Sequence, residues 1–407
     1  MSTKVHNSKR GYLMLAVLWF AYVTFVMNWV AGSSLTPQIT DTFFGGPVDP
    51  LISEVVNYSI TTARVFANIL AAVVIMRLGP KKAAGLSIGL LMMGLVAIYI
   101  PNYWGYIVAR MIMAMGGSMI IVYMNPFVSN YVSNPKVKLG INAANTATYN
   151  IGTFIVAVLF TLFAEQLVTD WQLTMTFFAS ITVILFVVWL IGSEDFKVEQ
   201  AAGTEEYGYK HAFKDGFIWR FGLAFASFLT LYVLALVSFK NIFDQYTLLD
   251  GSVTNLLISG GALIGTLAGI AIGNKGWPRK PTLLMIGIGM VSTFAFALVF
   301  ANSVPSLSYV LLTISGFFMF LHYPIFLNLP HEMKNMSPHK LTIMFSLFCA
   351  IAYAGKTIAN IVWSYILGAF GYVPSIIFFI AFASLYCFLI PTLPETKQKD
   401  TVLKNIA

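Results

Sequence analysis

The chain has 407 residues, 58% of them hydrophobic and only 10% charged, with a formal net charge of +8. Soluble domains carry about 25% charged residues, so the composition argues against a soluble fold and for a chain solvated by lipid. The two cysteines, Cys349 and Cys387, sit inside apolar runs, where they read as small buried hydrophobes and not as a disulfide or a metal site.

A helix rises 1.5 Å per residue, so about 20 apolar residues cross a hydrocarbon core of ~30 Å. By that measure the sequence predicts twelve membrane helices, over 11–33, 53–78, 83–100, 103–131, 140–166, 171–193, 218–240, 252–273, 281–301, 305–330, 341–367 and 372–392. The first run follows Lys9 and Arg10 and is longer than the roughly 7–15 residues of a signal-peptide core, so it is expected to be a retained helix. The expected fold class is an all-α membrane protein of twelve transmembrane helices in two pseudo-symmetric six-helix bundles. Residues 1–193 form the first bundle, 194–217 a cytoplasmic linker containing Glu194, Asp195, Glu205, Glu206 and Lys210, and 218–407 the second bundle.

Basic residues in short loops mark the cytoplasmic side. With the N-terminus inside, inner segments hold 20 of the 24 Lys and Arg residues, among them Lys81, Lys82, Lys136, Lys138, Lys275, Arg279, Lys280, Lys334 and Lys340. Lys240 is outside, and Arg64, Arg110 and Lys356 lie within spans. The expected location is the cell membrane, multi-pass, with both termini cytoplasmic. The basic charge is then topological, and no nucleic-acid partner is expected.

The halves repeat. RLGPKKAAGLSIG, from Arg77 to Gly89, and KGWPRKPTLLMIG, from Lys275 to Gly287, occupy the same loop of each half. Pro80 and Pro278, Lys81 and Arg279, Lys82 and Lys280, Gly89 and Gly287, and Pro126 and Pro324 all stand 198 residues apart. Weak internal symmetry of this kind is common in transporter folds.

Two six-helix halves, a long central loop, a Gly-plus-basic loop after the second and eighth spans, and Arg110 followed by Gly116 and Gly117 in the fourth resemble the major facilitator superfamily over essentially the whole chain. The loop motif departs from the family pattern, since Ile75 and Met76 supply no acid before Arg77. The resemblance implies two bundles around a central site that opens alternately to each side. It also implies structural or gating work for Arg110, Gly116, Gly117, Arg77, Lys81, Lys82, Arg279 and Lys280.

Cations at mid-bilayer cost roughly 2.5–3.5 kcal/mol on insertion scales and mark candidate functional sites. Arg64 lies near the centre of the second span on a polar face with Glu54, Asn57, Thr61 and Asn68. Lys356 lies near the centre of the eleventh, with Tyr353, Thr357, Asn360 and Ser364. Steps of three and four place each set on one helical face, and lipid would leave such a face unsatisfied. None of the sixteen acidic residues falls near mid-membrane. A substrate carboxylate or phosphate would supply the missing counter-charge, worth about 4 kcal/mol per pair at ~4 Å and an effective dielectric near 20, before desolvation. Repulsion between the cations of an empty carrier would slow its return, which predicts exchange.

Tyr149, His322, Tyr22 and Tyr232 are further candidate substrate contacts. Tyr149 belongs to a polar stripe of the fifth span with Asn142, Asn145, Thr146 and Thr153. Lys356 resembles the span-eleven lysine of superfamily exchangers for oxalate and related small carboxylates, but their span-eight arginine has no equivalent, because the position symmetric to Arg64 is Ala262. Nitrate carriers resemble the chain in their span-two arginine and differ in the same way. A nitrate-like anion, a sugar phosphate or a drug is the alternative cargo, and a non-transporting sensor on the same scaffold the alternative role. No Gly-Lys-Ser/Thr phosphate loop occurs. No cofactor, metal or enzymatic activity is expected; the expected partners are a small anionic solute and membrane lipid, with the chain a monomer.

Overall fold

A computed structural model describes residues 9–132, 134–196, 208–273, 275–333, 336 and 338–397. Residues 197–207 of the linker, including Glu205 and Glu206, lie outside the described residues, as do Lys334 and the side chains of Lys136 and Lys138. All regular structure among the described residues is helical.

Two compact units, Met1–Gln200 and Ala201–Ala407, divide the chain. The first contains α1 (Lys9–Ser34), α2 (Val55–Leu78), α3 (Pro80–Ile98), α4 (Tyr103–Tyr131), α5 (Pro135–Leu162) and α6 (Trp171–Gly192). The second contains α7 (Gly216–Val237), α8 (Gly251–Gly273), α9 (Arg279–Phe300), α10 (Pro305–Glu332), α11 (Pro338–Phe370) and α12 (Tyr372–Leu389). Each of the twelve is long and apolar enough to cross a membrane. Short helices not expected from hydropathy lie between them, at Thr36–Phe44, Pro50–Ser53, Ala164–Thr169, Tyr209–Ala212 and Phe239–Tyr246.

Local chemistry fixes the ends. Side-chain carboxylate or amide oxygens satisfy free N–H groups in the first turn: Asn102 accepts from Gly105 N in α4, Asp170 from Leu173 N in α6, and Asp215 from Phe217 N in α7. Pro80 occupies the first turn of α3, where its missing N–H costs nothing. The preceding Gly79 has φ of 78°, which L side chains rarely adopt.

The helices differ in how they are enclosed. In the most apolar windows of α1 and α7, 78% and 89% of residues are buried, against 28% for α6 and α12. The latter pair therefore carries much of the surface that would meet lipid, including Ile191 at 80% and Phe388 at 74% exposure. In unit 2, α8 and α10 approach backbone to backbone: a Cβ at Gly261, Gly265 or Gly269 would strike the carbonyls of Thr313, Phe317 and Leu321, and one at Gly316 the carbonyl of Ile258. Small residues at four-residue steps permit such contact between membrane helices.

Gly265→Leu is expected to lower the thermal unfolding midpoint of detergent-solubilised protein, at a cost of roughly 1–3 kcal/mol or more for overpacking. Gly46→Ala, where an added Cβ meets nothing within 4 Å, is expected to leave it unchanged.

Candidate functional site

In unit 1, α2 brings its polar face into the interior. Thr61, Arg64 and Asn68 are all buried, Arg64 at 3% exposure. Toward the N-terminal end of α2, Ser33 donates to Asn57 Oδ1 at 2.5 Å and Asn57 Nδ2 donates to Glu54 Oε2 at 3.1 Å. Glu54 and Arg64 are ten residues apart, about 15 Å along the helix axis. The surroundings of the guanidinium come from α1. Arg64 Nη2 donates to Tyr22 Oη at 3.0 Å, and Cζ lies 5.7 Å from the ring centre of Phe25 and 5.5 Å from that of Trp29. Residues 22, 25 and 29 repeat at steps of three and four, so one face of α1 supplies all three rings. Aromatic faces at this range attract a cation by about 0.5–2 kcal/mol each, more when desolvated. Tyr149 packs edge-on against Trp29 at 5.7 Å. Gly117 makes the arrangement possible, since a Cβ there would lie 2.4 Å from Cγ of Phe25, while Gly116 admits the backbone of α3 at Ser87.

In unit 2, Lys356, Asn360 and Ser364 are fully buried and Thr357 nearly so, with Tyr353 half-buried. Steps of four from 356 to 364 put the first three on one face of α11. Ser364 Oγ donates to the Asn360 carbonyl at 2.8 Å. His322 is enclosed by rings of its own unit: Phe228 at 4.2 Å, Tyr386 at 5.2 Å and Phe326 at 5.5 Å. Its Nδ1 lies 2.6 Å from the Met319 carbonyl. Tyr232 stacks on Phe228 and packs edge-on against Phe320. These two residues therefore belong to an aromatic cluster of α7, α10 and α12. Ala262, the symmetric counterpart of Arg64, is fully buried beside the close α8–α10 contact.

Arg110 is buried at 1% exposure; Nη1 donates to Tyr106 Oη at 3.2 Å, and Gly32 leaves it room, because a Cβ at that position would overlap the guanidinium. Arg279 ties three segments of unit 2 together. It grips both oxygens of Glu332, at 2.5 and 3.0 Å, and donates to the Gly273 carbonyl at 2.9 Å. Thr396 also donates to Glu332, and Glu395 accepts from the backbone N–H groups of Arg279 and Lys280. Unit 1 has a simpler counterpart: Asp195 accepts from Lys81 N at 3.3 Å, and Lys81 Nζ donates to the Ser193 carbonyl at 2.8 Å. Lys81 and Arg279, 198 residues apart, thus both bind the segment that follows the last helix of their unit. Arg77 and Lys82 stay exposed.

Sequence reasoning missed Phe25, Trp29 and Glu395. The first two carried a usable signal, the shared helical face with Tyr22; Glu395 carried none, since its partners are backbone groups 116 and 115 residues away.

Arg279→Leu and Glu332→Leu are each expected to lower the unfolding midpoint. The double variant should lose less than the sum, with a coupling of about 1–3 kcal/mol, checked by a double-mutant cycle.

Residues 18–348 match the profile of a family described as Major Facilitator Superfamily. An uncharacterized protein of Mesomycoplasma hyopneumoniae is 28% identical over 396 residues, covering 87% of this chain and 81% of its own length. An uncharacterized protein of Campylobacter jejuni is 21% identical over 189 residues, covering 45% of this chain and 56% of its own. Among solved structures, a D-xylose-proton symporter superposes with a TM-score of 0.72 at 13% identity. A bacterial homolog of the human lysosomal transporter Spinster, inward-facing and unoccupied, gives 0.69 at 12%. Both alignments cover 95% of this chain and 98% of the other.

Proposed function

Because this chain belongs to the major facilitator superfamily, and is therefore a multi-pass membrane transporter and not an enzyme, we propose that it carries a small organic anion by alternating access, as an exchanger. One observation supports this above the others: each half buries a cation on a polar helical face, Arg64 at 3% exposure and Lys356 at 0%. The contacts of Arg64 include a tyrosine hydroxyl and two aromatic faces. A guanidinium is a planar donor fork that can grip a carboxylate or phosphate at two points. Lys356 offers the second half's charge. Thr61, Asn68, Tyr149, Tyr353 and Asn360 are proposed as polar partners for the same solute. Arg110, Gly116, Gly117, Lys81 and Arg279 are proposed to maintain helix packing through the conformational cycle.

Exchange follows from electrostatics. Closing the carrier without an anion would bury two cations with no solute charge to offset them, and a bound anion lowers that penalty. The return of the empty carrier is then the slow step. We further place the protein in the cell membrane with both termini cytoplasmic, on the 20-to-1 distribution of basic residues.

A thermal-shift screen of small carboxylates and phosphates tests the cargo class, since a ligand that binds the folded state raises its stability by mass action. At least one anion is expected to raise the unfolding midpoint, and Arg64→Ala and Lys356→Ala are each expected to abolish that rise while remaining folded. Stabilisation by cations or neutral solutes only would overturn the reading. In vesicles, uptake of the stabilising anion is expected to be at least about tenfold faster with the same anion inside, a barrier difference of roughly 1.4 kcal/mol; equal rates without internal anion would rule out exchange.

A further inference from the structure

Asn360 combines complete burial with a side chain that has no hydrogen-bond partner at either end: both Oδ1 and Nδ2 are unmatched. Oxygen and nitrogen of an amide are easily interchanged in a structure, but here the assignment is immaterial because both atoms are unmet. Leaving a buried donor and acceptor unsatisfied costs about 1–3 kcal/mol each, and a leucine of similar size would avoid the cost. Asn360 stands one turn beyond Lys356, about 6 Å along α11, and on the same face. A further turn along that face is Trp363, 1% exposed and stacked on Phe239, with an unmatched Nε1–H.

We propose that Asn360 recognises an uncharged hydroxyl group on the transported anion, so that the cargo is a hydroxylated organic anion and not a simple carboxylate. This rests on the anion reading above, in which Lys356 meets the charged end. The functional groups decide the class. Carboxylate and fully deprotonated phosphate-ester oxygens can only accept, and would satisfy Nδ2 while leaving Oδ1 unmet. Hydroxyl groups donate and accept at one atom and can engage both ends of the amide. Lys356, Asn360 and Trp363 together offer several donors and one acceptor, which matches a ligand rich in oxygen with a hydroxyl proton to give. Hydroxycarboxylates and polyol phosphates share this chemistry.

The test uses matched pairs on the purified full-length protein: malate against succinate, lactate against propionate, and glycerol 3-phosphate against propyl phosphate. The quantity read is the concentration that gives half-maximal thermal stabilisation. In at least one pair the hydroxylated member is expected to act at about tenfold lower concentration, the fold-change for about 1.4 kcal/mol of buried hydrogen bonding. The pair that responds separates a carboxylate cargo from a phosphate one. Asn360→Leu should raise the hydroxylated member's value to within about threefold of its partner's, shift the partner's value by a smaller factor, and leave ligand-free stability equal or higher. Asn360→Ala provides the same comparison with a smaller side chain, should leucine overpack the site. Lys356→Ala should abolish stabilisation by both members of the pair alike. Anions that stabilise the wild type with no preference for the hydroxyl, or a preference that survives both Asn360 variants, would overturn this inference and leave the anion reading intact. Absence of stabilisation by any anion would overturn both.

Discussion

Two cations inside an apolar helical protein are the constraint on which the rest of this structure depends. A guanidinium or ammonium removed from water needs compensation from its surroundings. Around Arg64, α1 contributes to that compensation with one hydroxyl at 3.0 Å and two ring faces within 6 Å. The Phe25 ring can sit there because Gly117 carries no side chain. A sequence feature that looks like a helix-packing glycine is thus tied to the electrostatics of a residue on another helix. The same logic recurs at Arg110, where Gly32 provides the space and Tyr106 the hydroxyl.

The opposite solution appears where cations meet the ends of helices. Arg279 is matched by a carboxylate, bidentate and backed by Thr396, with Glu395 closing the first turn of α9. In unit 1 the equivalent position is a lysine, and Asp195 accepts a backbone N–H at the start of α3. Both units therefore fold the segment after their sixth helix back onto the start of their third, by different side chains. Acids complete the sites at the helix ends, whereas a hydroxyl and two ring faces lie against the arginine at mid-span. This division of labour is what makes Arg64 and Lys356 candidates for substrate and Arg279 a structural tie.

Much of the architecture was legible in the sequence, because lipid imposes long apolar helices and short loops. The expected fourth span, 103–131, coincides with α4, and most other boundaries fall within three residues. The fifth departed furthest: α5 starts at Pro135, ahead of its apolar stretch, and stops at Leu162, with Ala164–Thr169 a separate short helix. Hydropathy marks the length that lipid must cover, and a helix can extend beyond it into water. The polar faces of α2 and α11 were readable from spacing alone. The aromatic surroundings of Arg64 were not, since phenylalanine and tryptophan are common on every face of such helices. His322 was expected near the solute, and its ring is packed within the cluster of Phe228, Phe326 and Tyr386. A polar residue in an apolar run shows that something unusual is nearby, but not which neighbours enclose it.

The account turns on what neutralises Arg64 and Lys356. An experimental structure of the chain, solved with the anion that stabilises it most, addresses this directly. Oxyanion density is expected within hydrogen-bonding distance of the Arg64 guanidinium, the Lys356 ammonium or each of them. Density elsewhere, with either cation bound to an aspartate or glutamate or turned toward lipid, would contradict it.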